Sequence, residues 1–118
     1  TATMQTPSAT LAHFAANTVF ADIPPSVIRK TEDLLVDWVG SVVAGHGARA
    51  VESIAQFARA AGPITGPSEQ INARRGTSAF FAAMANAAAS HVAEQDDVHN
   101  GSVFHPATIV FPAALAVA

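Results

Sequence analysis

Apolar residues recur at helical spacing along almost the whole of this chain and never alternate over a useful length. Alanine is abundant, and it is the residue most compatible with helix. Together these features restrict the fold to the all-α class, with about five helical segments. The first spans Ser8 to Phe20, where Leu11, Phe14, Ala15 and Val19 make a stripe at i, i+3, i+4 and i+8. Pro24-Pro25 breaks it, because proline disfavours helix in the residue before it.

The second segment, Pro25 to Ala44, is the best defined. Proline suits a first helical position. Val27, Ile28, Thr31, Leu34, Leu35, Trp38, Val39, Val42 and Val43 share one wide face, and Arg29, Lys30, Glu32, Asp33 and Asp37 lie mostly opposite. That division describes an amphipathic helix with Trp38 in its core. Gly45-His46-Gly47 supplies the stop. The third segment, Arg49 to Ala61, carries Val51, Ile54, Ala55, Phe57 and Ala58, and Gly62-Pro63 ends it. Residues 62–76 hold three glycines and two prolines and read as a loop, with only a weak strand signal near Ile71.

The fourth segment runs from Thr77 to Glu94, with Thr77 or Ser78 as cap. Phe80, Phe81, Met84, Ala87, Ala88 and His91 are spaced for burial, and the many alanines allow close packing on more than one side. A helix apolar nearly all round belongs in the middle of a larger body. The fifth begins near Pro106 or Pro112 and continues through Ala113, Ala114, Leu115 and Val117. It reaches Ala118 without a cap or polar tail, as a cut chain would.

The 118 residues suffice for one domain. Half are hydrophobic and 13% are charged, against roughly 25% in average globular domains. So few charges imply that part of the surface sits against more protein. The net charge is −3 and Lys30 is the single lysine. No basic face is available for nucleic acid, and no basic amphipathic helix for a membrane surface. The absence of cysteine excludes disulfides and thiolate chemistry and fits a reducing cytoplasm. The first twenty residues lack the basic start and apolar run of a signal peptide. Two stretches without charge, Gly76 to Ala93 and Val98 to Ala118, are too weakly apolar or too broken by proline and glycine to span a membrane.

Chemistry concentrates in residues 91–106, HVAEQDDVHNGSVFHP, which hold three of the five histidines and three of the nine acids. Glu94, Asp96 and Asp97 fall at the C-terminal end of the fourth segment. A helix C-terminus disfavours carboxylates by about 0.3–1 kcal/mol each. Clustered acids also repel, which predicts a raised pKa for at least one of them. His99 and His105 follow, and imidazole suits proton transfer near neutrality. Each residue also has a plain structural reading. Asp96 and Asp97 can cap a turn, and His105 can be an ordinary loop histidine. A metal site drawn from His91, Glu94, His99 and His105 is a third reading. The ligand types suit first-row metals, but the spacing matches no established pattern. His13 and His46 read as surface or turn residues, and Arg74-Arg75 as a solvated pair.

Ala85-Asn86-Ala87-Ala88-Ala89-Ser90-His91, Glu94-Gln95-Asp96-Asp97-Val98-His99, His105-Pro106 and Phe111-Pro112-Ala113-Ala114-Leu115-Ala116 occur in order. This series resembles the hallmark of the MmgE/PrpD family, and Asp37, Gly40 and Ala44-Gly45 also stand in the family's places. The resemblance covers nearly the whole chain and implies that residues 1–118 are the N-terminal portion of an all-helical domain. A separate α/β lid domain and a homodimer are implied as well. It implies an enzyme that moves a proton on a carbon beside a carboxylate of a small di- or tricarboxylate, as a dehydratase, decarboxylase or epimerase, without metal or organic cofactor. Family chains are several times longer, so further histidine and lysine groups are expected beyond Ala118, and this piece alone is expected to be inactive.

Carried over by position, His105 takes the place of the His-Pro histidine, Asp96 and Asp97 the paired aspartates, and His99 the histidine that follows. The candidates are therefore His105, Glu94 and Asp97 for catalysis and Asp96 and His99 for substrate. Glu94 stands where the family has aspartate, and Val98 where it has threonine. Both departures point away from 2-methylcitrate as substrate. Two other readings remain: a non-catalytic helical module that binds partner helices, and a histidine–carboxylate metal-binding domain.

Overall fold

The computed structural model describes residues 6–118. Residues 1–5, where the segment read as carrying no signal peptide begins, lie outside the described residues. The regular elements are α1 (Pro7–Asn17), α2 (Pro25–Ala44), α3 (Arg49–Ala61), β1 (Ser68–Gln70), β2 (Arg75–Thr77), α4 (Ala79–His91) and α5 (Pro106–Val117), with a 3-10 turn at Phe20–Asp22. The fold is mainly helical, as the periodicity requires, with one small antiparallel hairpin added. The chain forms two compact units, one reaching to Thr31 and the other Glu32–Ala118.

In the first unit, Thr6 caps α1 by accepting a hydrogen bond from the Ala9 N–H at 3.3 Å. The helix stops at Asn17 and not at Phe20. Asn17 Nδ2 donates to the His13 carbonyl at 2.7 Å, and Thr18 Oγ1 to the Phe14 carbonyl at 2.7 Å. Side chains that bind these carbonyls compete with continuation of the helix. No residue of α1 is buried, so the Leu11–Phe14 stripe is exposed.

In the second unit, Trp38, Val42, Val51, Ala89 and Ala107 form the core, with Leu35, Ala48, Ile71 and Phe111 against it. The Trp38 and Phe111 rings lie 5.9 Å apart. Trp38 is fully buried, as its place on the stripe requires. The stop after α2 also follows the sequence. Gly47 adopts a left-handed φ of 78°, which glycine tolerates best. Gly45 lies against α4, where an added Cβ would sit 2.1 Å from the Ala89 carbonyl oxygen.

The stretch read as a loop contains the hairpin, with Ser68 paired to Thr77 and Gln70 to Arg75. Three side chains anchor it. Asn86 of α4 accepts from the Ile71 N–H at 2.9 Å and donates to the Glu69 carbonyl at 2.8 Å. Asn72 donates to the Val42 carbonyl, and Ser68 to the Ala116 carbonyl.

The helix α4 packs against α3, α5 and both strands, so it is central, as its composition demands. Its buried face differs from the predicted one. Ala82, Ala85, Asn86, Ala89 and Ser90 are buried, whereas Phe80 and His91 are exposed. The small side chains let neighbouring backbones approach, and Asn86 and Ser90 supply hydrogen bonds that an aromatic face could not. Pro106 begins α5, and Pro112 lies inside it. No helix of the described residues is long and apolar enough to cross a membrane.

Candidate functional site

The site begins where α4 ends. The helix closes at His91, three residues before the predicted end at Glu94. The Val92 N–H bonds the Ala88 carbonyl, and the Glu94 N–H bonds the His91 carbonyl with Glu94 at φ 50°. The left-handed residue turns the chain away from the helix axis. The three acids therefore belong to the loop that follows, not to the last helical turn.

That turn carries Asp96 into the interior. Its side chain is fully buried, and three groups converge on one oxygen. His91 Nδ1 lies 3.0 Å from Oδ2 and Thr108 Oγ1 donates to it at 2.8 Å. His105 Nδ1 lies 3.3 Å from the same atom, without the angle of a hydrogen bond. A carboxylate only accepts, so His91 carries its proton on Nδ1. Ser90 Oγ lies 2.9 Å from Thr108 Oγ1 and donates to the Ala87 carbonyl. The second oxygen, Oδ1, is buried without a partner.

Burial pushes the Asp96 carboxyl up, but the hydrogen bonds from His91, Thr108 and its own backbone N–H and the nearby His105 outweigh it. The group is held below its ordinary value of 3.8. Asp96 is thus ionised at neutral pH. This reverses, for Asp96, the raised pKa that a repelling acidic cluster predicts. Imidazoles, not carboxylates, are its neighbours.

The other candidates are placed apart. Asp97 Oδ1 accepts from the Ala107 N–H at 2.9 Å. It satisfies a free donor in the first turn of α5, where the N-cap residue His105 supplies no side-chain cap. His99 pairs with Phe104 in an isolated bridge around the turn, and its Nδ1 contacts Ser102 Oγ at 2.9 Å. Glu94 is exposed and makes no side-chain hydrogen bond among the described residues. The structure therefore brings together His91, Asp96, His105 and Thr108, and leaves Glu94 and His99 on exposed turns. Thr108 carried no sequence signal, and Ser90 stood in the alanine-rich series without a role of its own. Thr108 lies twelve residues from Asp96, in a helix whose docking onto α4 no local pattern announces.

The His91 and His105 rings meet edge to face, with centroids 4.8 Å apart. They border an open cavity of about 280 Å³ lined also by Val103, Phe104, Thr108 and Ile109. His105 has its Nδ1 buried beside Asp96 and a side chain one-third exposed. A larger apolar cavity of about 640 Å³ lies within the first unit, around Phe14, Ile23 and Val27, and holds none of the candidate residues.

No curated protein and no solved structure matches the chain. The MmgE/PrpD N-terminal domain matches residues 9–118. That span includes the α4–α5 loop and every residue of the Asp96 cluster, and the chain belongs to the MmgE/PrpD family.

Proposed function

We propose that this domain supplies the histidine–aspartate part of an active site that moves a proton on a carbon beside a carboxylate of a small di- or tricarboxylate. The reaction class is that of a dehydratase, decarboxylase or epimerase. One observation carries the reading. His105 borders the cavity with Nδ1 turned toward a buried, ionised carboxylate. Such a carboxylate favours the proton on Nδ1 and leaves the Nε2 lone pair free to accept a proton. It also stabilises the imidazolium formed after transfer, so that the same ring can return the proton.

In this reading Asp96 acts through His105 and does not touch substrate, because its side chain is fully buried. Asp97 positions the start of α5, and hence His105. Glu94 and His99, both exposed, are the groups free to meet substrate. The cationic groups that would hold the substrate's carboxylates are assigned to the rest of a larger enzyme, with a homodimer as its assembly.

The test is His105→Ala in the intact enzyme. The expected result is a fall in kcat of about 10²–10⁴-fold with little change in thermal stability. Turnover at the wild-type rate would remove His105 from the chemistry.

A further inference from the structure

The Asp96 cluster is not closed by its own hydrogen bonds. Three groups crowd one oxygen of the carboxylate while the other, Oδ1, is buried without a partner. His105 Nδ1 is also buried without a hydrogen bond. Two orphaned polar atoms in one cluster are unusual, because each costs about 1–3 kcal/mol when left unsatisfied. A cation bound at His105 Nδ1 would satisfy that atom and would draw on the charge of the buried carboxylate.

The donor set points to one class of cation. One ligand atom from each of His91, Asp96 and His105 lies within 4.8 Å of the other two. The two nitrogens stand 3.0 and 3.3 Å from Asp96 Oδ2. Ligands about 2.0–2.1 Å from a tetrahedral Zn²⁺ are themselves roughly 3.3 Å apart. Two imidazoles and one carboxylate select a first-row transition ion over Mg²⁺ or Ca²⁺, which take oxygen ligands. Thr108, hydrogen-bonded to Asp96 and backed by Ser90, holds the carboxylate as outer partners of metal ligands do. The cavity beside His91 and His105 leaves room for water at a fourth position.

We propose that His91, Asp96 and His105 form a binding site for a divalent first-row transition ion of the Zn²⁺ class. Binding through Nδ1 puts the ring proton of both His91 and His105 on Nε2, so the His91 Nδ1–H bond to Asp96 is given up when the ion enters. Occupancy and service as a proton acceptor therefore exclude one another at the His105 ring. The site would act as an inhibitory one, and its existence does not depend on His105 being the base.

The experiment is a titration of the metal-free chain with Co²⁺, followed by visible absorption and then displacement with Zn²⁺. The variants are His91→Ala, His105→Ala and, as a control outside the cluster, His46→Ala, with helicity checked by circular dichroism. The expected result is one ion per chain with the intense band of a tetrahedral site. Affinity should fall by about tenfold or more in both cluster variants and stay unchanged in His46→Ala. Absence of the band, or equal affinity in the wild type and either folded cluster variant, overturns the proposal. Because binding is read without turnover, a failed metal site and a failed catalytic role for His105 are told apart.

Discussion

Asp96 is the residue on which the site depends. It is a buried carboxylate held ionised by His91, Thr108 and the neighbouring His105. Asp96→Asn keeps the shape and removes the charge. Losing charge-assisted hydrogen bonds in a buried place is expected to cost about 1–3 kcal/mol at pH 7. The carboxyl is held below 3.8 in the folded chain. The stability of its ionised form is therefore fully present above that value and is lost as pH falls through the lower, folded value. The gap between wild type and Asp96→Asn should narrow as pH falls below about 4. Unfolding by urea at a series of pH values measures it, and a gap that widens in acid would contradict the account. Composition and the ordered motif series both located this cluster in the sequence. His91, Asp96 and His105 all lie in the stretch singled out, but which aspartate turns inward depends on the left-handed turn at Glu94 and on Thr108. Neither has a local signature.

At the scale of elements, proline and glycine made the boundaries legible. The helices α2 and α3 begin and end where those residues place them, at Pro25–Ala44 and Arg49–Ala61. The hairpin was not legible, because its three-residue strands are too short to show alternation. Long-range side-chain hydrogen bonds from Asn86, Asn72 and Ser68 tether it. Asn86 is the test case. Asn86→Ala leaves the Ile71 N–H and the Glu69 carbonyl without their partner and is expected to cost about 1–3 kcal/mol. Native-state hydrogen exchange should show the Ile71 amide losing protection in this variant more than the amides of α3. Uniform loss throughout the chain would mean that Asn86 does not act through the hairpin.

At the scale of the whole molecule, the low charge content has a visible counterpart. Phe14 and Phe20 of the first unit are 68% and 74% exposed, and Phe80 and Val117 of the second are 68% and 78% exposed. Phe80, Met84, Ile109 and Pro112 line one open apolar depression between α4 and α5. The sequence assigned the Phe80 face of α4 to the core because it counted apolar spacing within one chain. The face that the chain itself buries is the small-residue one. On the reading that further protein covers the Phe80 face, Phe80→Asp should change the stability of this chain by about 0.5 kcal/mol or less. The same change should lower the melting temperature of the intact enzyme. Equal effects in both would place Phe80 in the chain's own core.

In the proposed reaction His105 moves a proton on the carbon beside a carboxylate. Exchange of that carbon-bound proton with D₂O isolates this step from the rest of turnover, and NMR follows it directly. The intact enzyme should wash deuterium into its di- or tricarboxylate substrate or product, and His105→Ala should slow this by about 10²–10⁴-fold while remaining folded. Exchange at the wild-type rate in His105→Ala would contradict that role of His105.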